Sequence, residues 1–186
     1  MSVSGIILAG GLGRRMGGVD KGLQLLHGKP MIAHVLARLA PQVADIVINA
    51  NQNHERYAAF GHRVVPDEIS GFAGPLAGLH AGLRAVAQPL AVTVPCDSPF
   101  LPADLVARLQ SRLGNNDLAV AKTGDQPHPV FALVRRTVVD NLQVFLASGG
   151  RKIDAWYASL KVVEVLFDDE ADAFRNINTP EELGRA

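Results

Sequence analysis

The chain has 186 residues, with 18 basic and 18 acidic side chains and a formal net charge of zero. That balance excludes bulk attraction to nucleic acid or to an anionic membrane, while leaving room for a local basic site. With 48% apolar and 19% charged residues, the chain carries enough core to fold and is expected to form a single domain over residues 1–186. The lone cysteine, Cys96, has no intrachain partner, so no oxidising compartment is implied. No apolar run approaches the roughly 18–20 residues that span a bilayer. The apolar stretch Ile6-Ile7-Leu8-Ala9 has no basic residue before it and Gly10-Gly11 directly after, which suits a buried strand better than a signal peptide. The expected setting is the cytoplasm.

In chain order, Val3 to Ala9 reads as a first strand. A helix carrying Met31, Ile32, Val35, Leu36 and Leu39 on one face follows, with Pro30 suited to its first position. Ile46 to Asn49 and Arg63 to Val65 supply two more strands. A helix starting near Pro75 leads to a fourth strand, Leu90 to Val94. Leu105, Val106, Leu109 and Leu113 mark the next helix. Strands at Leu118 to Ala121 and Val130 to Val134 come before a helix marked by Val138, Val139, Leu142, Phe145 and Leu146. A seventh strand covers Val162 to Leu166, and Thr179-Pro180-Glu181-Glu182 opens a last helix with an N-cap, a Pro at N1 and a Glu at N3. Several strands are apolar at successive positions, as required when both faces are covered. The alternation predicts an α/β fold with a largely parallel sheet, whose ligands bind beyond the C-terminal ends of the strands.

That rule draws attention to Gly10 to Gly22, which holds six of the 18 glycines together with Arg14, Arg15 and Lys21. Glycine allows ligand oxygens to approach main-chain N–H groups, and donors beside cations suit a polyphosphate. Two familiar phosphate motifs fail. Gly13 to Gly18 has the spacing of a P-loop, but Val19-Asp20 stands where Lys-Ser or Lys-Thr is needed. The dinucleotide fingerprint begins at Gly11-Leu12-Gly13 but meets Met16 in place of its third glycine, and the second strand ends in Asn49-Ala50-Asn51 rather than an acidic residue.

The segment Leu8-Ala9-Gly10-Gly11-Leu12-Gly13-Arg14-Arg15-Met16-Gly17-Gly18-Val19-Asp20-Lys21-Gly22 instead closely resembles the nucleotidyltransferase signature of the molybdenum cofactor guanylyltransferases. The resemblance runs from Leu8 to Leu183. It includes Pro95-Cys96-Asp97-Ser98-Pro99, Gly74-Pro75-Leu76-Ala77-Gly78, His128 to Val134 and Asn176 to Leu183. It implies a three-layer Rossmann-like nucleotidyltransferase domain with a mostly parallel central sheet. It also implies transfer of GMP from GTP to the phosphate of molybdopterin, with release of pyrophosphate. Leu8, Ala9, Gly10, Lys21, Asn49, Asp67 and Asp97 are then the nucleotide-binding positions, and Gly11, Arg15, Lys21 and Asp97 the catalytic ones. Mg²⁺, or Mn²⁺ in its place, is the expected cofactor, held by Asp97. Gly18, Gly74, Gly78, Asn176, Asn178 and Arg151 are assigned to the pterin. Beyond the two substrates, transient contacts with other cofactor-biosynthesis proteins or recipient molybdoenzymes are implied, and neither nucleic acid nor membrane is an expected partner.

The residues themselves support these roles unevenly. Asp97 follows the fourth strand, where a hard carboxylate suits Mg²⁺ and a turn Asp before Ser-Pro is the plain alternative; a phosphate loop alongside favours the metal. For Asn49 and Asp67, reading a base edge competes with ordinary turn chemistry, which residue type alone favours. Gly74, Gly78 and Gly82 lie four apart on one side of their helix. Ligand space is expected at the first two, and tight packing is at least as good an account of Gly82. Asn178 also suits a helix-capping turn, and Arg151 with Lys152 suits either a phosphate or solvent. His128 and Cys96 are expected to be structural, and Asp168 to Asp172 a solvated acidic loop. Two other readings remain open: a cytidylyltransferase or sugar-phosphate nucleotidyltransferase, and a nucleotide-binding carrier without catalysis.

Overall fold

The computed structural model describes residues 1–11, 20–69 and 74–177. Nine strands are present: β1 (Val3–Leu8), β2 (Leu25–Leu26), β3 (Lys29–Pro30), β4 (Asp45–Asn49), β5 (Arg63–Val65), β6 (Leu90–Pro95), β7 (Leu118–Thr123), β8 (Gln126–Arg135) and β9 (Val162–Leu166). The helices are α1 (Met31–Leu39), α2 (His54–Ala58), α3 (Pro75–Ala85), α4 (Leu105–Leu113), α5 (Val139–Ala147) and α6 (Ile153–Tyr157). Seven strands form one sheet in the order β5-β4-β1-β6-β8-β7-β9, and β2 and β3 form a separate short hairpin. All pairings in the large sheet are parallel except those of β8 with β6 and with β7, so β8 alone runs against the rest.

Successive apolar residues in a strand point to opposite faces, and here both faces are covered. Ile7, Ile48, Val92, Val94 and Leu133 pack with Val35, Leu39, Leu105 and Leu109 of α1 and α4. Ile6, Val47, Ala91, Val120 and Val134 pack with Leu76, Leu79 and Leu83 of α3, Leu142 and Leu146 of α5, and Trp156 of α6. Ile6 and Ile7 are each fully buried, and removing such a side chain from water contributes about 1.5–3 kcal/mol. The result is a three-layer α/β/α arrangement, as the sequence leads one to expect.

The structure revises several local expectations. Pro30 is the N-cap of α1 rather than its first helical residue. The acidic stretch from Asp168 is solvent-exposed as expected, but in place of a loop it forms 3₁₀ turns over Asp168–Phe174, broken at Glu170. Asp169 pairs with Arg108 at 2.8 Å, and Asp168 Oδ1 accepts from the Gly124 N–H at 2.6 Å. Gly82 packs on the sheet: a Cβ there would lie 2.6 Å from Ile6 Cγ2. The helix expected from Thr179 falls outside the described residues. Among the described residues, no helix is long and apolar enough to cross a membrane.

Candidate active site

Register sets the site. Leu8 at the end of β1 pairs with Asn49 of β4 on one side and Pro95 of β6 on the other, and Asn49 pairs with Val65 of β5. Four parallel strands therefore stop at one level, with β1 between strands reached by crossovers in opposite directions. Such a switch point leaves a crevice at the C-terminal edge. Ala9 continues the pattern by donating its N–H to Asn49 O at 2.8 Å.

On the β4–β5 side, three side chains interlock beside Gly10. Asn49 Nδ2 donates to Asp67 Oδ1 at 2.9 Å, and Asn51 Nδ2 donates to Asp67 Oδ2 at 3.0 Å. Asn51 Oδ1 accepts from the Asp67 main-chain N–H at 2.8 Å, and Asn51 Nδ2 also reaches Gly10 O at 3.2 Å. The Asp67 carboxylate is thus held by donors at both oxygens, and each carboxylate oxygen has further lone-pair capacity for a ligand. A Cβ at Gly78 would overlap the Asn49 side chain. The space at Gly78 is therefore taken by Asn49. Gly74 precedes α3 with φ +66°, in the region that favours glycine, and its own surroundings are open. Pro75 follows at the first helical position.

On the β6 side, Asp97 lies two residues beyond the strand and is buried. Its Oδ2 stands 3.1 Å from Lys21 Nζ. The Asp97 carbonyl accepts from the Ile177 N–H at 2.9 Å, and Ser98 Oγ donates to Asn176 Oδ1. Asn176 is thereby fixed beside the Asp97 turn. Cys96 is buried between them and the core, and burial and the neighbouring Asp97 push its thiol far up, so it stays protonated and inert.

Lys21, Asn49, Asp67, Asp97, Gly10 and Asn176 are thus arrayed along one edge of the sheet. Gly11 is exposed, with open space around it. Arg151 is not joined to this group. Its guanidinium donates to Leu146 O at 2.9 Å, at the C-terminal end of α5. Arg15, Gly18 and Asn178 lie outside the described residues. His128 is built into the opposite half of the sheet, bonded to Thr123 Oγ1 at 2.7 Å and stacked on Phe174 with ring centroids 4.6 Å apart. That is the structural place expected for it.

Two further participants, Asn51 and Asp20, carry no signal in the sequence. Asn51 was visible only as the end of a strand; its partner, Asp67, is 16 residues away. Asp20 accepts from the Tyr57 hydroxyl and, at 2.9 Å, from Asn53 Nδ2. Nothing local in the sequence signals those pairings.

A cation paired with a carboxylate lies on one side of the switch point and an amide–carboxylate cluster on the other, at the edge where Rossmann-like folds take their ligands. Comparison with known proteins gives the class, a nucleotidyltransferase. Residues 5–162 match the family described as MobA-like NTP transferase domain, and the chain belongs to that family. It is 54% identical, over 188 aligned positions covering 97% of this chain and 94% of the other, to the molybdenum cofactor guanylyltransferase of Cupriavidus necator. It is 49% identical to the enzyme of the same name from Shewanella putrefaciens, over 98% and 94% of the two chains. The molybdopterin-guanine dinucleotide biosynthesis protein A of Archaeoglobus fulgidus superposes with a TM-score of 0.79 at 28% identity, over 98% and 95% of the two chains. The 4-diphosphocytidyl-2C-methyl-D-erythritol synthase of Anaerococcus prevotii shares the fold, with a TM-score of 0.73 at 15% identity, over 100% and 96% of the two chains.

Proposed function

We propose that this chain transfers GMP from GTP to the terminal phosphate of molybdopterin, releasing pyrophosphate. The observation that carries this reading is the Lys21–Asp97 pair at the end of β6, facing the Asn49–Asn51–Asp67 cluster across the β1 switch point. Relatives at about half identity over nearly the whole chain bear the guanylyltransferase name.

In the reaction, a phosphate oxygen of the acceptor attacks the α-phosphorus of GTP. The new P–O bond forms as the bond to the bridging oxygen breaks, and that oxygen leaves with its electron pair as pyrophosphate. The nucleophile is already an anion, so the protein supplies alignment and charge compensation rather than acid–base chemistry. A lone carboxylate at the strand end would repel a triphosphate. Pairing with Lys21 cancels that repulsion and leaves an ammonium group as a point charge for phosphate oxygens. The main-chain N–H groups around Gly10 and Gly11, with Arg15 and Lys21, are assigned to the β- and γ-phosphates. Asp67, with both oxygens aligned by the two asparagines, accepts from the N1–H and the exocyclic amine of guanine.

Mg²⁺, or Mn²⁺, fits the donor set. Such ions take one or two carboxylates and complete their shell with water and substrate phosphates rather than an all-protein cage. Asp97 is that hard carboxylate, and no group of three or more potential ligands occurs among the described residues. The bound ion supplies Lewis-acid charge neutralisation at the phosphates.

The test is pyrophosphate release by purified protein with magnesium and molybdopterin, comparing GTP with CTP. Turnover with GTP well above that with CTP is expected. Preference for CTP would overturn the base assignment, and stoichiometric GTP binding without turnover would make the chain a carrier.

A further inference from the structure

We infer that Asp20, held by Tyr57 and Asn53, is a strut that positions the neighbouring Lys21 for the triphosphate. The inference deepens the nucleotidyl-transfer reading of the Lys21–Asp97 pair and rests on it.

Asp20 stands at the C-terminal end of the glycine-rich segment, immediately before Lys21. Its main-chain carbonyl accepts from the Leu23 N–H at 3.2 Å, closing the tight turn Lys21–Leu23. Its carboxylate accepts from two donors on one short stretch of chain. The Tyr57 hydroxyl reaches Oδ1 and Asn53 Nδ2 reaches Oδ2 at 2.9 Å. Tyr57 is fully buried in the core beside α1, with its hydroxyl directed at Asp20. Burial and the adjacent Asp20 raise its phenol far above the ordinary value, so it stays a donor throughout the working pH range. Asn53 adopts a left-handed conformation, φ +54°, as the N-cap of α2. A non-glycine residue is uncommon there, and Asn is one of the few types that tolerate it.

The packing closes the remaining freedom. A Cβ on Gly22 would lie 2.6 Å from the Tyr57 hydroxyl and 3.2 Å from Cys96. Only glycine lets the main chain at residue 22 lie between Tyr57 and Cys96. Lys21, one residue from the anchored carboxylate, then reaches Asp97 Oδ2. α2 follows β4 by a few residues, and β4 ends in Asn49. The strut thus joins the part of the chain that holds the base cluster to the part that carries the phosphate-facing cation. A lysine side chain with four rotatable bonds holds one geometry only if its main chain is fixed, and charge-assisted hydrogen bonds fix it.

The experiment compares wild type with Tyr57→Phe, Asp20→Asn and the double variant D20N/N53D. GTP and GMP affinities are measured by direct titration, with pyrophosphate release as a second readout. GMP lacks the β- and γ-phosphates that Lys21 is assigned to. Tyr57→Phe and Asp20→Asn are therefore expected to weaken GTP binding by about tenfold, as for one charge-assisted hydrogen bond, and to leave GMP binding as it was. D20N/N53D restores a donor facing an acceptor between the two side chains and is expected to recover most of the loss. In a Lys21→Ala background, Tyr57→Phe should add little, because the two act as a unit. Equal weakening of GTP and GMP, or a lowered melting temperature with an unchanged GTP-to-GMP ratio, would reduce Asp20 to a fold contact and overturn the inference. So would full additivity with Lys21→Ala. The binding contrast needs no acceptor. Absence of turnover in wild type would overturn the proposed reaction alone and would leave the strut to be judged by the titrations.

Discussion

The two halves of the sheet end differently at the same edge. In the β5-β4-β1-β6 half, polar side chains at and just beyond the strand ends bond one another or a neighbouring turn: Asn49 and Asn51 to Asp67, and Asp97 to Lys21 of the turn Lys21–Leu23. In the β8-β7-β9 half, the corresponding edge is largely aromatic and tied down. His128 stacks on Phe174, and Phe131 and Phe167 meet the same ring edge-on with centroids 4.9 and 5.2 Å away. Arg108 lies over Phe167, 4.0 Å from its centroid. One half keeps hydrogen-bonding groups aligned at the edge, where a ligand can use them. The other spends its side chains on its own packing. Polar groups held by partners at both ends are pre-aligned for a substrate. A stack of rings offers stability instead.

The sharpest way to break the contrast is to remove Asp97. Asp97→Ala is expected to lower turnover with GTP by about 10²–10³-fold or more, with the circular dichroism spectrum unchanged. Wild-type pyrophosphate release from the folded variant would remove Asp97 from the site. Asp67→Asn comes next, because it places an amide between two amide donors and withdraws the charge offered to the base. Its kcat/KM should fall about tenfold further for GTP than for ITP, which lacks the exocyclic amine; equal losses would separate Asp67 from the base. Gly78→Ala drives a methyl into Asn49. It should destabilise by about 1–3 kcal/mol in denaturant titration and raise the KM for GTP, and an unchanged KM would show that Asn49 is dispensable to the nucleotide.

The smallest effect belongs to the aromatic half. Burial lowers the His128 pKa below its ordinary 6.5. The unfolded chain therefore binds the proton more readily than the folded one. The folded state loses stability as pH falls from about 6.5 through the lowered value, and it is unaffected above that window. His128→Phe keeps the stack without the titrating ring and should flatten that part of the stability profile, leaving GTP binding as in wild type. A GTP affinity that fell with this variant would mean the two halves are not separate in function.

The strands were legible because their apolar residues are continuous. Ile6 and Ile7 face different layers, and only a strand covered on both sides makes such a run useful. Two helices escaped notice for the opposite reason. α2 and α6 have five residues each and one fully buried side chain apiece, Tyr57 and Trp156, too little for a period to register. The reversal of β8 has a signal in the sequence. Gly124-Asp125 is a two-residue link between strands, with Gly124 at φ +52°, a hairpin signature. Lys21 and Asp97 were found as separate motifs, and their 3.1 Å approach spans 76 residues. Asn51 and Asp20 act through partners brought near only by the sheet order, so no local pattern could mark them.

The turn at Asp97 is stitched to residues made much later. Ser98 bonds Asn176, 78 residues on, and the Asp97 carbonyl is held by Ile177. During synthesis the sheet strands β1, β4 and β6 can pair long before those partners exist. A nascent chain that already has its crevice therefore still lacks two of the hydrogen bonds that hold its acidic corner.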